Sequence, residues 1–247
     1  MKTIKNVCGI IAILALVIVS SCGDSEEGTI RLTSVTVNGG GVITVVYEGD
    51  NVVNLLGQGT TFRYDDQDRV INIASAGFSN WNEDYFYDGD LVSYYIQTSF
   101  DEDGNEVSKD SIVYEYNSLN QPIVRTFYDF YTKELTDKFF SEFENGNLVR
   151  IFTEIDGEMK LFRDTEYSDV EIPEILENFH RAFWDGPVFQ NNRLPSRDRI
   201  FFNGEIVDTT NEYTVDDTGL IRAYTSTQIT NGGEPEISQF TLNYEQR

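Results

Sequence analysis

The chain holds few residues that could carry out catalysis. His180 is the only histidine, so a Ser/His/Asp triad would have to be built on it. It lies between Phe179 and Arg181, and the sequence has no Gly-x-Ser-x-Gly nucleophile elbow. Cys8 and Cys22 are the only cysteines, too few to assemble a zinc or copper site of the usual kind. We therefore predict a structural or solvent-exposed histidine and no metal.

Acidic residues suggest two further kinds of chemistry. In "DEDGNE" (101 to 106), Asp101, Asp103 and Asn105 alternate as calcium ligands do, but Gly104 comes one position early and strand-like runs flank the segment. We interpret it as a turn, with weak calcium contact as the alternative. The same holds for Asp65–Asp66 and Asp216–Asp217. Glycoside hydrolysis needs two carboxyl groups about 5 to 9.5 Å apart, and 42 acidic residues give no means of choosing a pair. We predict no enzyme, no catalytic residue and no cofactor.

The N-terminus is typical of a secretory signal. Two lysines precede an apolar run of 13 residues from Val7 to Val19, and the small residues Ser20 and Ser21 follow. A helix needs about 20 apolar residues to cross a bilayer. Residues 1–21 are therefore predicted to be a signal peptide rather than a transmembrane helix.

Cys22 follows this segment directly, and Val19-Ser20-Ser21-Cys22 resembles a bacterial lipoprotein signal, with Val19 in place of the more common Leu. In such signals the thiol of the new first residue is acylated, so the resemblance makes Cys22 the lipid attachment site and gives permanent attachment through two or three chains. Cys8 lies in the discarded peptide, so Cys22 has no intramolecular partner. The alternative is an ordinary signal peptide with a bystander cysteine.

The residues after Cys22 bear on location. Asp24, Glu26 and Glu27 resemble the acidic export tag of Bacteroidota lipoproteins, which implies a surface-exposed protein anchored to the outer membrane. The alternative is a solvated tether, and residues 22–29 are taken as an acidic tether in either case. Without Lys2 and Lys5 the chain has 16 basic and 42 acidic residues, a formal charge of −26. Such a charge repels phosphate backbones, so we predict no nucleic acid partner and a monomer.

Residues 30–247 are predicted to form a single domain that repeats one hairpin theme. Short β-favouring runs are joined by Asp/Asn/Gly turns, which tolerate the positive φ of tight hairpins. The instances lie at 45–53, 62–73, 85–96, 114–124, 141–152, 200–207 and 213–224. On β-strand alternation, Val92, Tyr94 and Ile96 are expected to share one face. The fold class is therefore all-β: an antiparallel meander of roughly 12 to 14 strands, curled or closed into a barrel, with a propeller or long sandwich as alternatives.

One segment, 170–198, departs from this theme. Ile175, Phe179 and Phe183 have helical spacing, Pro173 suits a first helical turn, and Asp185-Gly186-Pro187 is a stop signal. We predict a short helical insertion near 171–184 followed by a loop. It would either cap an open end of the sheet or form the wall of a ligand site.

Several of these motifs resemble one group of proteins. Tyr64-Asp65-Asp66-Gln67-Asp68-Arg69 and Tyr116-Asn117-Ser118-Leu119-Asn120-Gln121 are similar to the tyrosine-aspartate repeats of Rhs proteins, and to Bacteroidota lipoproteins of unknown function assigned a porin-like fold. "EYSDVEIPEILENF" and "NNRLP" resemble the helical interruption of that group, with Ile172-Pro173 in place of Asn-Pro. The resemblance spans roughly residues 45 to 246. It implies architecture and location, and it supplies no catalytic residues.

Three hypotheses for function follow. The first is a lipid-anchored, non-enzymatic envelope protein that binds an extracellular ligand or an envelope partner. The second is a carbohydrate-binding or carbohydrate-active module, in which Trp81 and Trp184 stack on sugars. The third is a purely structural or adhesion repeat protein. An open cavity under residues 170–198 favours the first, a cleft with exposed aromatics and facing carboxylates the second, and a filled interior the third.

Overall fold

The computed structural model describes residues 30–76, 80–172, 191–202 and 204–246. These residues form sixteen antiparallel strands, each paired with its neighbours in the chain, and β16 pairs with β1 to close a barrel. The strands are β1 (Ile30–Val37), β2 (Gly41–Glu48), β3 (Asn51–Leu56), β4 (Thr60–Tyr64), β5 (Val70–Ala76), β6 (Asn80–Asp88), β7 (Leu91–Phe100), β8 (Glu106–Tyr116), β9 (Pro122–Asp129), β10 (Leu135–Glu144), β11 (Asn147–Ile155), β12 (Glu158–Glu171), β13 (Arg193–Phe202), β14 (Glu205–Val215), β15 (Ile221–Thr230) and β16 (Glu236–Gln246).

The predicted all-β antiparallel meander is confirmed, and the sheet is closed. The predicted strand number was too low, because the count omitted two turns: the Asn38-Gly39 pair was not counted as a turn, and residues 57–59 lack an Asp-Gly or Asn-Gly signal. Residues 38–40 reverse the chain through Asn38 at φ 50° and Gly39 at φ 68°, and residues 57–59 do so through Gly57 and Gly59. The signal peptide, the tether and the predicted helix from residue 173 onward lie outside the described residues, while Glu171 is the last residue of β12.

The barrel has two distinguishable ends. One end, here called the ring end, contains the turns after the even-numbered strands, together with Ile30 and Gln246. At the other, the far end, lie the turns after the odd-numbered strands. The chain therefore enters and leaves the described barrel at the ring end.

Apolar side chains point into the barrel. Leu32, Val52, Leu55 and Ile112 are each at most 1% exposed, and they belong to a buried cluster with members on both sides of the β1–β16 seam. Aromatic rings stack across neighbouring strands within this interior, with Tyr95 5.2 Å from Tyr85 and 6.0 Å from Tyr114 between centroids. Burial of these side chains on one face is the main stabilising contribution.

A bulge in β7 overturns the expected alternation. Phe86 pairs with Tyr94 and Tyr87 pairs with Val92, so one strand has an extra residue between these pairs. The bulge moves the following residues to the opposite face. Val92 and Tyr95 are buried in the interior, whereas Tyr94 stacks on the outward-facing Phe86 with ring centroids 4.5 Å apart. The prediction that Val92, Tyr94 and Ile96 share a face is therefore wrong.

A ring of aromatic side chains lines the ring end of the interior, one near the end of each even-numbered strand. We call this set the tyrosine ring: Tyr47, Tyr64, Tyr87, Tyr116, Phe143, Tyr167, Tyr213 and Tyr244. Within the described residues, six of its hydroxyls donate to a backbone carbonyl on the preceding strand at 2.7 to 2.8 Å. The acceptors are Val52, Val70, Val92, Leu148, Pro195 and Ile221. These bonds give the repeated tyrosine a structural role.

At two ring positions, Tyr64 and Tyr116, the next residue begins a five-residue turn. Asp65 Oδ1 accepts the Gln67 and Arg69 amides at 2.9 and 3.0 Å, and Asn117 Oδ1 accepts the amides two and four residues on in the same way. Asp68 and Asn120 then take positive φ values of 57° and 60°. The tyrosine-aspartate pattern thus encodes a strand end followed by a side-chain-capped turn.

Candidate functional site

The acidic "DEDGNE" segment is a turn of this same type. Asp101 Oδ1 accepts the Asp103 and Asn105 amides at 3.0 and 2.7 Å, and Gly104 has φ 82°. Hydrogen bonds from the side chain and backbone of Asn105 hold the pKa of Asp101 below its usual range. This carboxylate therefore serves the backbone of its own turn. Within the described part of the chain, no three His, Cys, Asp or Glu side chains are grouped as metal ligands.

The outer wall of the barrel carries a row of alternating charges. Glu142, Arg150, Asp164, Arg199 and Asp208 are successive cross-strand partners on β10 to β14. Arg150 Nη1 lies 3.1 Å from Glu142 Oε2 and Arg150 Nε lies 3.7 Å from Asp164 Oδ1, while Arg199 also pairs with Asp164. We call these five residues the charge ladder. Opposite charges facing each other across strands stabilise the pairing modestly.

A second polar row crosses the outer face of β4 to β6. Arg63 Nε donates to Asn72 Oδ1 at 3.2 Å, and Asn72 Nδ2 donates to Asp84 Oδ1 at 2.8 Å. Asp84 is at the middle of β6, and Asp164 of the charge ladder is near the middle of β12. Charged groups therefore lie at mid-height on the outer wall, both on β4 to β6 and on β10 to β14.

The C-terminal end of the β12–β13 connection is held against the β10–β11 turn by hydrogen bonds. The buried Asn147 accepts the amides of Asn192 and Arg193 through Oδ1 at 2.8 and 3.0 Å. Asn191 Oδ1 accepts the Leu148 amide at 2.8 Å. Gly146 is required here, because it has φ 82° and a Cβ at this position would lie 2.3 Å from Asn192 Nδ2.

Two cavities flank Asn192. The larger, of about 680 Å³, is called the polar recess and lies between the β10–β11 turn, the outer face of β11 to β13 and the two ends of the β12–β13 connection. It is lined by Glu144, Asn145, Asn147, Val149, Arg150, Asp164, Thr165, Glu166, Tyr167, Glu171, Asn192, Arg193 and Arg199. The volume is in the range of small-molecule sites. This is the kind of open cavity beside segment 170–198 that favours the ligand-binding hypothesis.

The polar recess holds both signs of charge. Arg199 contacts Asp164 and lies 3.5 Å from Glu166 Oε1, while Arg193 Nη1 lies 3.3 Å from the exposed Asp169. Glu144 and Glu171 line the same recess and are exposed. Such a lining offers directional hydrogen bonds to a polar ligand and little apolar surface.

The smaller cavity, of about 450 Å³, lies on the other side of Asn192 at the ring end, and we call it the ring-gap cavity. It is lined by Asp90, Leu91, Val92, Tyr116, Leu119, Asn120, Gln121, Pro122, Phe143, Gly146 and Asn192. Its floor is apolar and its rim is polar. It is lined by Phe143, the one described position of the tyrosine ring at which phenylalanine stands in place of tyrosine.

An acidic group is buried inside the barrel. The Glu83 carboxylate accepts the Tyr85 hydroxyl and lies 3.2 Å from Gln97 Nε2. Burial raises the pKa of Glu83 above its usual value, although the hydrogen bond from Tyr85 opposes this. Arg125 lies over the rings of Phe127 and Phe139, 5.1 Å from each centroid, and completes this interior group.

Sequence reasoning left open whether segment 170–198 caps the sheet or forms the wall of a site, and it did not identify the residues that line the two cavities. Cys22 and His180 lie outside the described residues, as does Trp184, while Trp81 faces the interior on β6. The charge ladder gave no local signal, because its members come from five different strands. Phe143 had a signal: in "SEFENGN" it takes the place that Tyr87 holds in "YFYDGD".

Comparison with known proteins bears on the fold. No family model and no curated protein matches the chain. A porin-like protein from Bacteroides uniformis superposes with a TM-score of 0.54 and 17% sequence identity, covering 89% of this chain and 97% of that one. A porin-like protein from Bacteroides vulgatus gives a TM-score of 0.56 and 15% identity, covering 88% and 99%. The chain therefore has the same barrel architecture as porin-like proteins of Bacteroides.

Proposed function

We propose that this is a non-enzymatic envelope protein that is held to the outer membrane by lipid on Cys22, with its barrel in water, and that binds an extracellular ligand or envelope partner in the polar recess. The observation that carries the proposal is the polarity of the barrel. A buried apolar cluster lines the interior beside a smaller polar group around Glu83 and Arg125, and the charge ladder crosses the outer wall. A membrane-spanning barrel has the opposite arrangement, with an outward apolar band about 25 Å tall.

Strand length supports the same conclusion. A transmembrane strand needs about 9 to 11 residues. β3, β4 and β5 have 6, 5 and 7 residues. The barrel wall is therefore too short on this side to cross a bilayer, and Asp84 on the adjoining β6 would face lipid.

The lipid would fix the orientation of the barrel. Ile30 is at the ring end, eight residues after Cys22. Eight residues span at most about 27 Å. The ring end and the polar recess would thus lie near the bilayer, and the far end would be displayed away from it.

Fractionation of cells that express the full-length protein tests the attachment. We expect wild type in the membrane fraction and Cys22→Ser, once its signal peptide is removed, in the soluble fraction without detergent, because the variant lacks the thiol that carries the lipid. Cys8→Ser, in the discarded peptide, is the matched control and should behave as wild type. Retention of Cys22→Ser in membranes until detergent is added would contradict the proposal.

Photo-crosslinking in intact cells tests the recess. A crosslinking amino acid at Glu144, which lines the recess, should yield a defined adduct with a ligand or partner. The same amino acid at the exposed Glu234, at the far end, should not. Equal adducts at both positions, or none at Glu144, would contradict ligand binding at this place.

A further inference from the structure

The tyrosine ring has one described position without a hydroxyl group. Phe143 near the end of β10 takes the place that Tyr116 takes on β8 and Tyr167 on β12. Each of those two tyrosines donates to a carbonyl near the start of the preceding strand. By position, the corresponding carbonyl for residue 143 belongs to Pro122, the first residue of β9. Phe143 supplies no donor to it.

A cavity opens where the ring is interrupted. The ring-gap cavity is lined by both Phe143 and Pro122, and also by Val92 and Tyr116, the neighbouring intact pair. The position that lacks the hydroxyl and the cavity therefore coincide. The tyrosine–carbonyl pairs at other ring positions show which kind of group fits beside such a carbonyl. It has a ring that packs on the apolar wall and a hydroxyl that donates to the main-chain oxygen.

The lining indicates a particular ligand chemistry. Val92, Pro122 and Phe143 form an apolar floor, and Asp90, Asn120 and Gln121 contribute polar groups. No lysine or arginine is among the described residues that line the cavity. Among the described lining residues an anionic ligand would therefore find no cation, and a purely apolar ligand would leave the carboxylate and amides unpaired.

We propose that the ring-gap cavity is a binding site for a pyranose sugar. A pyranose ring has an apolar C–H face, which packs on Phe143 and Pro122, and hydroxyl groups around its edge. One hydroxyl donates to the Pro122 carbonyl in place of the absent tyrosine hydroxyl. The others reach the Asp90 carboxylate and the amides of Asn120 and Gln121, which both donate and accept. The volume of about 450 Å³ suits a small ligand.

This site is separate from the polar recess. The two cavities share Asn192, but the recess is lined mainly by residues of β11 to β13, whereas the ring-gap cavity uses β7 to β10 and the turns between them. Crosslinking at Glu144 and sugar binding beside Phe143 can therefore fail independently.

Saturation-transfer NMR on the purified full-length protein tests the proposal. The probes are D-glucose, D-galactose, D-mannose and N-acetyl-D-glucosamine, each at millimolar concentration, with phenol as a comparison. We expect at least one pyranose to bind wild type, and Phe143→Tyr to weaken it at least tenfold because the new hydroxyl occupies the Pro122 carbonyl. Phe140→Tyr adds the same hydroxyl to the outer face of β10 and should change affinity less than twofold.

A second variant covers the case in which Phe143→Tyr does not fold. Asp90→Asn changes an exposed turn residue and should weaken sugar binding severalfold while leaving the unfolding temperature near wild type. Absence of transfer to every sugar, equal affinity in wild type and Phe143→Tyr, or binding of phenol alone would each overturn the proposal.

Discussion

The two faces of the barrel wall differ in what they contribute. On β8, Ile112 is 0% exposed inside the barrel, while its neighbour Val113 is 37% exposed on the outside. Inside, a buried apolar cluster extends across the β1–β16 pairing and includes a polar group around Glu83. Outside, polar rows such as the charge ladder lie beside partly exposed apolar side chains such as Phe86 and Val113. Stability therefore comes mainly from the interior.

Truncation of Ile112 and Val113 should give the largest difference between the faces. We expect Ile112→Ala to lower the free energy of unfolding by about 3 kcal/mol, because it leaves a cavity in a closed apolar interior. Val113→Ala should cost less than about 1 kcal/mol. Denaturant unfolding of both variants checks this. Similar losses would show that the outer face is also packed against something.

The contacts that hold the β12–β13 connection should be an exception to the rule that stability comes from the interior. Asn147→Ala removes two hydrogen bonds at a buried site and should cost about 2 kcal/mol. Asn243→Ala, which removes one exposed hydrogen bond to Ser34 Oγ, should cost about 0.5 kcal/mol. Thermal unfolding compares the two. Equal costs would mean that residues 191–193 contribute nothing by docking.

The tyrosine ring gives a smaller contrast. Tyr116→Phe removes the hydroxyl bonded to the Val92 carbonyl at 2.7 Å and should cost about 1 kcal/mol. Tyr94→Phe changes a ring stacked on Phe86 outside and should be near neutral. A cost for Tyr94→Phe as large as that for Tyr116→Phe would weaken the structural role given to the ring.

The smallest effect is expected in the pH dependence of stability. Burial raises the pKa of Glu83, so its protonated form favours the folded state. Stability from this group is complete below the unfolded pKa, near 4.5, and is lost as pH rises through the folded pKa. Glu83→Gln should therefore gain stability relative to wild type between pH 4 and pH 8. A flat difference between Glu83→Gln and wild type across this pH range would contradict the assignment.

The sequence carried the local part of this fold. Each Asp/Asn/Gly turn is specified by residues within five positions, so the meander and its class could be predicted. The bulge in β7 could not, because it depends on pairing between Phe86–Tyr87 and Val92–Tyr94 rather than on either segment alone. One inserted residue then reversed the assignment of Tyr94.

The candidate site could be located only roughly from the sequence, for the same reason. "NNRLP" signalled an interruption, but its docking depends on Asn147, which is more than 40 residues away in the chain. The charge ladder likewise depends on register across five strands. The sequence shows that Phe143 stands where other hairpins have tyrosine. Its consequence became clear only from the structure, which shows the backbone carbonyl that each ring tyrosine bonds.

Thiol labelling in native membranes tests the central claim, that the outer wall lies in water, most directly. Under the proposal, Cys8 is removed with the signal peptide and Cys22 is acylated, so Val113→Cys introduces a single reactive thiol on the outer wall. A water-soluble maleimide should label it completely in intact membranes, and detergent should not increase the yield. Protection of this thiol until detergent dissolves the membrane would place the outer wall in lipid and contradict the account.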